Sequence, residues 1–204
     1  MIDIVLPKNN EEEFIKIAEK LGYNRLLFLY GLEEYIEKQK TPIKNAKIKI
    51  NYGILANERN IQKINGKFKN KNIFVAVKSP FNSRDIIERS YANMVFSLEE
   101  PGRKDFMHQR GSGLDHILAK LAHDKNVAIG FSLSSVLNSE NKHIILGRMM
   151  QNIKLCRKYK VKTIIASFAQ NPYEMRSPYD VMSLFRVLGM EQKEIKESFN
   201  LLLK

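Results

Sequence analysis

The sequence predicts an α/β protein built as a TIM-like β/α barrel with about seven parallel strands, slightly incomplete for that fold. Short apolar, β-branched runs alternate seven times with segments of helical spacing, which is typical of a parallel sheet. The first run is followed by "LPKNN" (6–10), which lacks the glycine-rich phosphate turn common in open nucleotide-binding sheets. A barrel is therefore favoured over an open, doubly wound sheet.

The seven predicted strands are mostly continuous apolar runs rather than alternating ones, as expected for strands covered on both faces. They span residues 2–6, 26–30, 47–54, 73–78, 94–98, 127–133 and 163–168. A chain of 204 residues is long enough for one sizeable core, and no long linker divides it. We therefore expect a single barrel domain over residues 1–204.

Helical spacing is found between these strands and after the last one. The predicted helices span residues 11–21, 32–38, 82–90, 113–124, 140–159, 178–188 and 191–203. In the 140–159 segment, Ile145, Met149, Ile153 and Cys156 fall on one stripe. This stripe predicts a helix that packs on the barrel and buries Cys156.

The charge of the chain points to a polyanionic partner. Lys and Arg total 34 against 22 Asp and Glu, a net charge of +12, and residues 38–78 hold eleven basic side chains and one acid. A general preference for Lys at solvated positions is one explanation. The ten Arg are harder to explain in this way, and four of them (Arg84, Arg89, Arg103 and Arg110) fall within one short span.

The sequence also indicates a cellular compartment. No apolar run approaches the roughly 20 residues that a membrane-spanning helix needs, and the first residues lack the pattern of a signal peptide. Cys156 is the only cysteine, which excludes an internal disulfide and a multi-cysteine metal site. We expect a cytoplasmic protein without a membrane partner.

Residue patterns for self-sufficient catalysis are missing. Metal-dependent hydrolysis would need clustered His and carboxylates at strand ends, but none of the four histidines lies at a predicted strand end. Cys156 and the serines at strand ends have no visible activating partner. His116, Lys120 and His123 share one face of the 113–124 helix, which fits either a solvated face or a contact with nucleic acid. We therefore expect no catalytic residue and no metal site in this chain.

Three helix starts combine a capping residue, an acid and an arginine: "NSRD" (82–85), "RGSGLDH" (110–116) and "RSPYD" (176–180). In the last two, Ser112 and Ser177 are predicted caps with an acid three residues on, the Ser-x-x-acid form of a capping box. An arginine at this place opposes the helix dipole. Free backbone N–H groups beside a guanidinium would instead suit a phosphate.

Two segments carry a family resemblance. "RGSGLDHILAKLAHDKNVAIGFSLS" (110–134) and "IIASFAQNPYEMRSPYDVMSLFRVLGM" (164–190) resemble the ribonuclease P protein component 3 family, the archaeal counterpart of the thirty-kilodalton eukaryotic subunit. The resemblance extends in weaker form over nearly the whole chain. It implies a barrel related to the polymerase and histidinol phosphatase superfamily, whose enzymes carry metal-binding histidines after the first strand. Here "DIVLPKNN" (3–10) has no histidine.

The resemblance further implies a subunit of the ribonucleoprotein endonuclease that removes the 5′ leader of precursor tRNA. Its partners would be ribonuclease P RNA, ribonuclease P protein component 2 and other protein subunits, with precursor tRNA as the substrate of the complex. Chemistry would reside in the RNA and use Mg²⁺, with no cofactor in this chain. On this view we expect RNA contacts from Lys44, Arg84, Arg103, Lys104, Arg110, His116, Lys120 and Arg176.

Two other functions remain open at this point. One is a stand-alone metal-dependent phosphohydrolase or nuclease on the same barrel, against which the missing histidine cluster argues. The other is a generic RNA-binding barrel of a different particle. Tyr173 and Tyr179 could stack on bases, although packing in the core or at the helix start is favoured for both.

Overall fold

The computed structural model forms a nearly closed barrel of seven parallel strands. It describes residues 1–43, 46–57, 59–68, 73–78, 83–100, 104–105, 107 and 110–200. The strands are β1 (Ile2–Val5), β2 (Arg25–Tyr30), β3 (Lys49–Ala56), β4 (Phe74–Lys78), β5 (Met94–Phe96), β6 (Ala128–Ser132) and β7 (Thr163–Ala166). Each strand pairs in parallel with the next one along the chain, so the sheet order is the chain order.

Helices surround the barrel and connect its strands. They are α1 (Glu11–Leu21), α2 (Leu32–Lys40), α3 (Ile61–Phe68), α4 (Ser83–Glu88), α5 (His116–Asp124), α6 (Leu133–Leu137), α7 (Lys142–Lys158), α8 (Pro178–Val187) and α9 (Gln192–Ser198). A 3-10 turn, Pro172–Glu174, lies between β7 and α8. α4 packs against α5, and α5 packs against α7.

The strands bury side chains on both faces, as their continuous apolar runs predict. Ile2, Ile4 and Leu6 point into the barrel, where they meet a smaller apolar cluster that includes Phe96 and Phe168. Val5, in the opposite phase of β1, joins the larger cluster between the strands and the helices. This alternation places one apolar layer on each face of the sheet. Most polar side chains therefore lie at the strand ends and on the outer wall.

The seam between β1 and β7 closes the barrel through few contacts. A single parallel bridge joins Val5 to Ala169, and the backbone N–H of Leu6 donates to the Ala169 carbonyl at 2.8 Å. Asp3 is fully buried there, and its Oδ1 accepts from the N–H groups of Ser167 (2.7 Å) and Ile4 (2.9 Å). Between β1 and β7, the Asp3 side chain thus accepts a hydrogen bond that a backbone carbonyl would accept in a regular sheet.

All seven predicted strands are confirmed, with shifts of a few residues at their ends. β5 ends earlier than predicted because Ser97 takes a left-handed backbone conformation, with φ of 59°. Leu133 begins a short helix instead of extending β6. α3 was not predicted, because its sequence "IQKINGKF" contains Asn and Gly, which are weak helix formers. Its buried Ile61 and Ile64 supply the apolar face.

Among the described residues, no helix has the length and apolar character needed to span a membrane.

Candidate nucleic-acid interface

A polar cavity of about 370 Å³ opens at the carboxyl ends of the strands, where barrel enzymes carry their active sites. Its floor includes Phe96 and Phe168, whose rings stack with centroids 4.1 Å apart. Glu100 lies in its wall and accepts from Ser135 Oγ at 2.7 Å, while Lys78 Nζ lies 2.9 Å from its other oxygen. Both oxygens of this carboxylate therefore have partners within the protein.

Glu174, the second carboxylate of this cavity, is also engaged. It accepts hydrogen bonds from Ser134 Oγ (3.2 Å), Asn138 Nδ2 (3.1 Å) and the Gln170 N–H (3.2 Å). These bonds tie the loop after β7 to α6. The two carboxylates at the mouth thus hold neighbouring loops together.

The described residues contain no group of three or more His, Cys, Asp or Glu side chains that could hold a metal ion. His123 lies on the outer wall at the far end of α5, where its Nδ1 is 2.9 Å from the Lys160 carbonyl oxygen. Burial raises the pKa of the Cys156 thiol well above its usual value of 9.0, so the nucleophilic thiolate is disfavoured.

Three predicted RNA contacts share one shallow groove between α4 and α5. Arg84, His116 and Lys120 line it, and all three side chains are exposed. Ile117, 54% exposed, supplies an apolar wall. Within the described ranges, Arg84 has one long contact of 3.9 Å, with the exposed Glu88. Glu88 and Asp124 also line the groove, so its cations are partly offset by neighbouring carboxylates.

Arg110 lies in the loop before α5, against α7. Its guanidinium covers Gly147, where an added Cβ would be 2.5 Å from Arg110 Cζ. Among the described residues, this guanidinium makes no hydrogen bond or ion pair. Its charge is one of several interactions that lower the pKa of Asp105. Because α5 packs on α7, Arg110 and the groove occupy one side of the barrel, which we call the α4–α5–α7 side.

The helix-start argument holds for the motif at 176–180 and fails for the motif at 110–116, while Asn82 of the motif at 82–85 lies outside the described residues. Ser177 caps α8 as predicted, since its Oγ accepts from the Asp180 N–H at 3.2 Å. The prediction for Ser112 is wrong. The cap of α5 is Asp115, which accepts from the Leu118 N–H at 2.7 Å, and the helix begins at His116 rather than near residue 113.

The later start of α5 removes the dipole argument for Arg110, which lies five positions before the cap. Arg84 is the second residue of α4, so it lies in the first turn of this six-residue helix. For Arg110, the reason to expect a phosphate contact is therefore its exposure and not opposition to a helix dipole.

Arg176 lies apart from the others, on the outer wall beside α1 rather than on the rim. Its carbonyl accepts from the Tyr23 hydroxyl at 3.0 Å, and Tyr23 lies between the end of α1 and the start of β2. Its Nη1 donates to the carbonyls of Tyr173 (2.9 Å) and Met175 (2.8 Å). Arg176 thus stabilises the turn before α8 and keeps only part of its donor capacity for a ligand.

Tyr173 and Tyr179 flank Arg176 and are exposed by 77% and 71%. The interpretation that these rings pack in the core or at the helix start is wrong. Pro172 and Pro178 are the buried neighbours, and they hold the backbone while both rings face solvent. Alternation of Pro with Tyr was the only sequence pattern that could have indicated this arrangement.

The remaining predicted contacts are Lys44, Arg103 and Lys104. Lys104 is exposed. Lys44 and Arg103 lie outside the described residues. Part of the arginine excess has an internal explanation: Arg148 pairs with Asp105 (2.8 Å), Arg157 with Glu194 (2.6 Å) and Arg89 with Asp85 (2.7 Å).

A family model and several curated proteins are similar to this chain. The family model described as RNase P subunit p30 matches residues 104–202. Ribonuclease P protein component 3 of Methanocaldococcus jannaschii is 28% identical over 189 residues, which cover 87% of this chain and 78% of that protein. The protein of the same name from Thermococcus kodakarensis is 44% identical over 101 residues, 48% of this chain and 43% of its own length.

A solved structure extends the similarity to the whole barrel. A chain in the cryo-EM structure of archaeal ribonuclease P with mature tRNA matches with a TM-score of 0.78 and 26% identity. The match covers 97% of this chain and 86% of that chain. This chain is therefore similar to ribonuclease P protein component 3 over most of its length. The match of the family model to residues 104–202 includes Arg110, α5, α7 and the turn that carries Arg176.

Proposed function

We propose that this chain is a protein subunit of ribonuclease P, the ribonucleoprotein that removes the 5′ leader of precursor tRNA. The observation that carries the proposal is the similarity, over 97% of the chain, to a chain of an archaeal ribonuclease P complex that holds mature tRNA. In this role it binds ribonuclease P RNA together with protein component 2 and other protein subunits. The unit that acts is a single barrel domain over residues 1–204, in the cytoplasm.

RNA is bound mainly on the α4–α5–α7 side. Arg84, Lys104, Arg110, His116 and Lys120 are all exposed there or in the adjoining loop. Folded RNA is recognised chiefly through its shape and its phosphates, so separate cations on one wall are sufficient. Each phosphate that they neutralise releases counterions and reduces the repulsion that RNA folding must overcome.

The chemistry of leader removal belongs to the RNA and its Mg²⁺ ions. This chain supplies charge and surface, and it has no cofactor of its own. Support comes from the cavity at the strand ends, where Glu100 and Glu174 are engaged by neighbouring side chains. No observation favours the alternative of a stand-alone metal-dependent phosphohydrolase.

Arg176 with Tyr173 and Tyr179 forms a second, smaller contact region. Exposed aromatic rings on a rigid backbone offer surfaces on which unpaired bases stack, and a nearby cation suits the adjoining phosphate. Since Arg176 Nη1 already donates to two carbonyls, we expect Arg176 to contribute less to RNA affinity than Arg110 does.

Substituting Arg110 tests the main contact. Arg110→Ala should weaken binding of ribonuclease P RNA and lower the slope of log affinity against log salt by about one, as expected for one lost phosphate contact. Arg176→Ala should act in the same direction with a smaller effect. Filter binding or fluorescence anisotropy over a salt series measures both quantities.

Lys16→Ala is the matched control, because Lys16 is an exposed cation of α1, away from the α4–α5–α7 side. It should leave the slope of log affinity against log salt nearly unchanged, because the charge that it removes does not contact RNA. Equal effects of Lys16→Ala and Arg110→Ala would mean that only the net charge of the protein matters, and the proposed contact would be wrong.

A further inference from the structure

Three side chains of α7 fix the loop that carries Arg110. Arg148, only 2% exposed, pairs with Asp105 and donates from Nη1 to the Glu99 carbonyl at 3.1 Å. The same Asp105 oxygen accepts from the Gly111 N–H at 2.7 Å, so the loop is held directly beside Arg110.

The next turn of α7 holds the other side of this loop. Gln151 Nε2 donates to the Arg110 carbonyl at 3.3 Å and to Ser112 Oγ at 2.8 Å. Asn152 Nδ2 donates to the Ser112 carbonyl at 3.0 Å and to Glu99 Oε1 at 2.7 Å. Since Ser112 and Asn152 are buried, these bonds define one backbone position for Arg110 rather than a range of positions.

Gly147 lies one residue before Arg148. Because it has no side chain, the Arg110 guanidinium can lie directly against this turn of α7. Glycine in the interior of a helix is less favourable than alanine, so its presence in α7 has a local cost. The space that a Cβ would take is occupied by the Arg110 guanidinium, whose Nη2 would lie 3.0 Å from it. Arg110 as a whole is exposed.

We propose that α7 positions Arg110 for the RNA, with Gly147 setting the direction of the guanidinium and Arg148 and Asn152 setting the backbone. This inference rests on the proposed function, because it assumes that Arg110 contacts RNA. A long side chain that is already oriented loses less conformational freedom when it binds. Gly147 is thus a positioning residue that acts on RNA affinity without touching RNA.

Gly147→Ala tests this role while keeping every charge. The added methyl group must displace the end of a flexible side chain, and the helix itself gains propensity, so the fold should be kept. We expect RNA affinity to fall about two- to tenfold, the range for losing the orientation of one such side chain. In Arg110→Ala, the further change Gly147→Ala should have no additional effect.

Gly66→Ala is the matched control, since Gly66 is also a glycine inside a helix but has nothing within 4 Å of an added Cβ. It should leave RNA affinity unchanged, and thermal melting by circular dichroism should show that both variants remain folded. If Arg110→Ala weakens binding but Gly147→Ala does not, or if their effects add, the positioning role of Gly147 is wrong. The proposed RNA contact of Arg110 would still stand. If Arg110→Ala itself has no effect, the proposed RNA contact fails and the inference fails with it.

Discussion

Raising the pH from about 5 to about 8 should lower the free energy of unfolding of this barrel, because two buried carboxyl groups must ionise without full compensation. Asp3 and Glu99 are both fully buried, and Asp3 Oδ2 and Glu99 Oε2 have no hydrogen-bond partner in the described structure. Burial raises the pKa of Asp3 from 3.8 to about 6 and that of Glu99 from 4.5 to about 7.

The direction of the effect follows from these values. A raised carboxyl pKa means that the folded state keeps its proton at pH values where the unfolded chain has lost it. The stabilisation is therefore complete below the unfolded pKa and is lost as the pH rises through about 6 for Asp3 and about 7 for Glu99. At pH values above the folded-state pKa of a group, its shift lowers the free energy of unfolding by about 3 kcal/mol.

Urea unfolding at a series of pH values, followed by circular dichroism, measures this loss. In Asp3→Asn the amide oxygen can still accept from Ile4 and Ser167, but the group no longer titrates, so the pH dependence should become flatter. Glu99→Gln should act similarly at higher pH. Glu37→Gln, at an exposed acid of α2, is the control and should keep the wild-type profile. Stability that rises from about pH 5 to about pH 8 would contradict this account of the two buried acids.

Gly113→Ala should destabilise the fold by about 2–4 kcal/mol, through two effects that side-chain rotation cannot relieve. Gly113 has φ of 75°, in the left-handed region that favours glycine. A Cβ there would also overlap the Leu98 carbonyl oxygen and lie 3.1 Å from its carbonyl carbon. Because this backbone belongs to the loop between Arg110 and α5, RNA affinity should fall as well.

Gly22→Ala separates the two effects. Gly22 caps α1 with φ of 84°, but an added Cβ would have nothing within 4 Å. It should cost only about 1 kcal/mol, the usual penalty for a left-handed non-glycine residue. Chemical denaturation of both variants gives the comparison, and equal losses would show that the overlap with Leu98 contributes nothing.

The sequence was sufficient for the barrel because its buried strands are continuous apolar runs, which depend on local composition alone. It was not sufficient for the closure of the barrel. Asp3 stands next to Ile2 and Ile4 in a strand-like run, and nothing local indicates that its carboxylate bonds to Ser167 at the other end of the sheet. The start of α5 was misplaced for a similar reason, since Ser112 and Asp115 are both good caps and only the left-handed Gly113 decides between them.

The candidate interface was predictable in part. Exposed cations on α4 and α5 follow from helical spacing, and their meeting in one groove follows from the order of the strands. The support for Arg110 was not predictable. Arg148 looks like one more cation of a basic chain, but it is buried and pairs with Asp105, 43 positions away. The exposure of Tyr173 and Tyr179 also depends on where the chain leaves the barrel, which no short motif specifies.

The central claim is that this chain supports an RNA-based endonuclease, and reconstitution tests it most directly. Ribonuclease P RNA, component 2 and the other protein subunits would be assembled with and without this chain, and removal of the 5′ leader from precursor tRNA measured over a range of Mg²⁺ concentrations. We expect faster cleavage and a lower Mg²⁺ requirement when the chain is present, and no cleavage by the chain alone. An unchanged rate at every Mg²⁺ concentration, or cleavage by the purified chain without RNA, would contradict the claim.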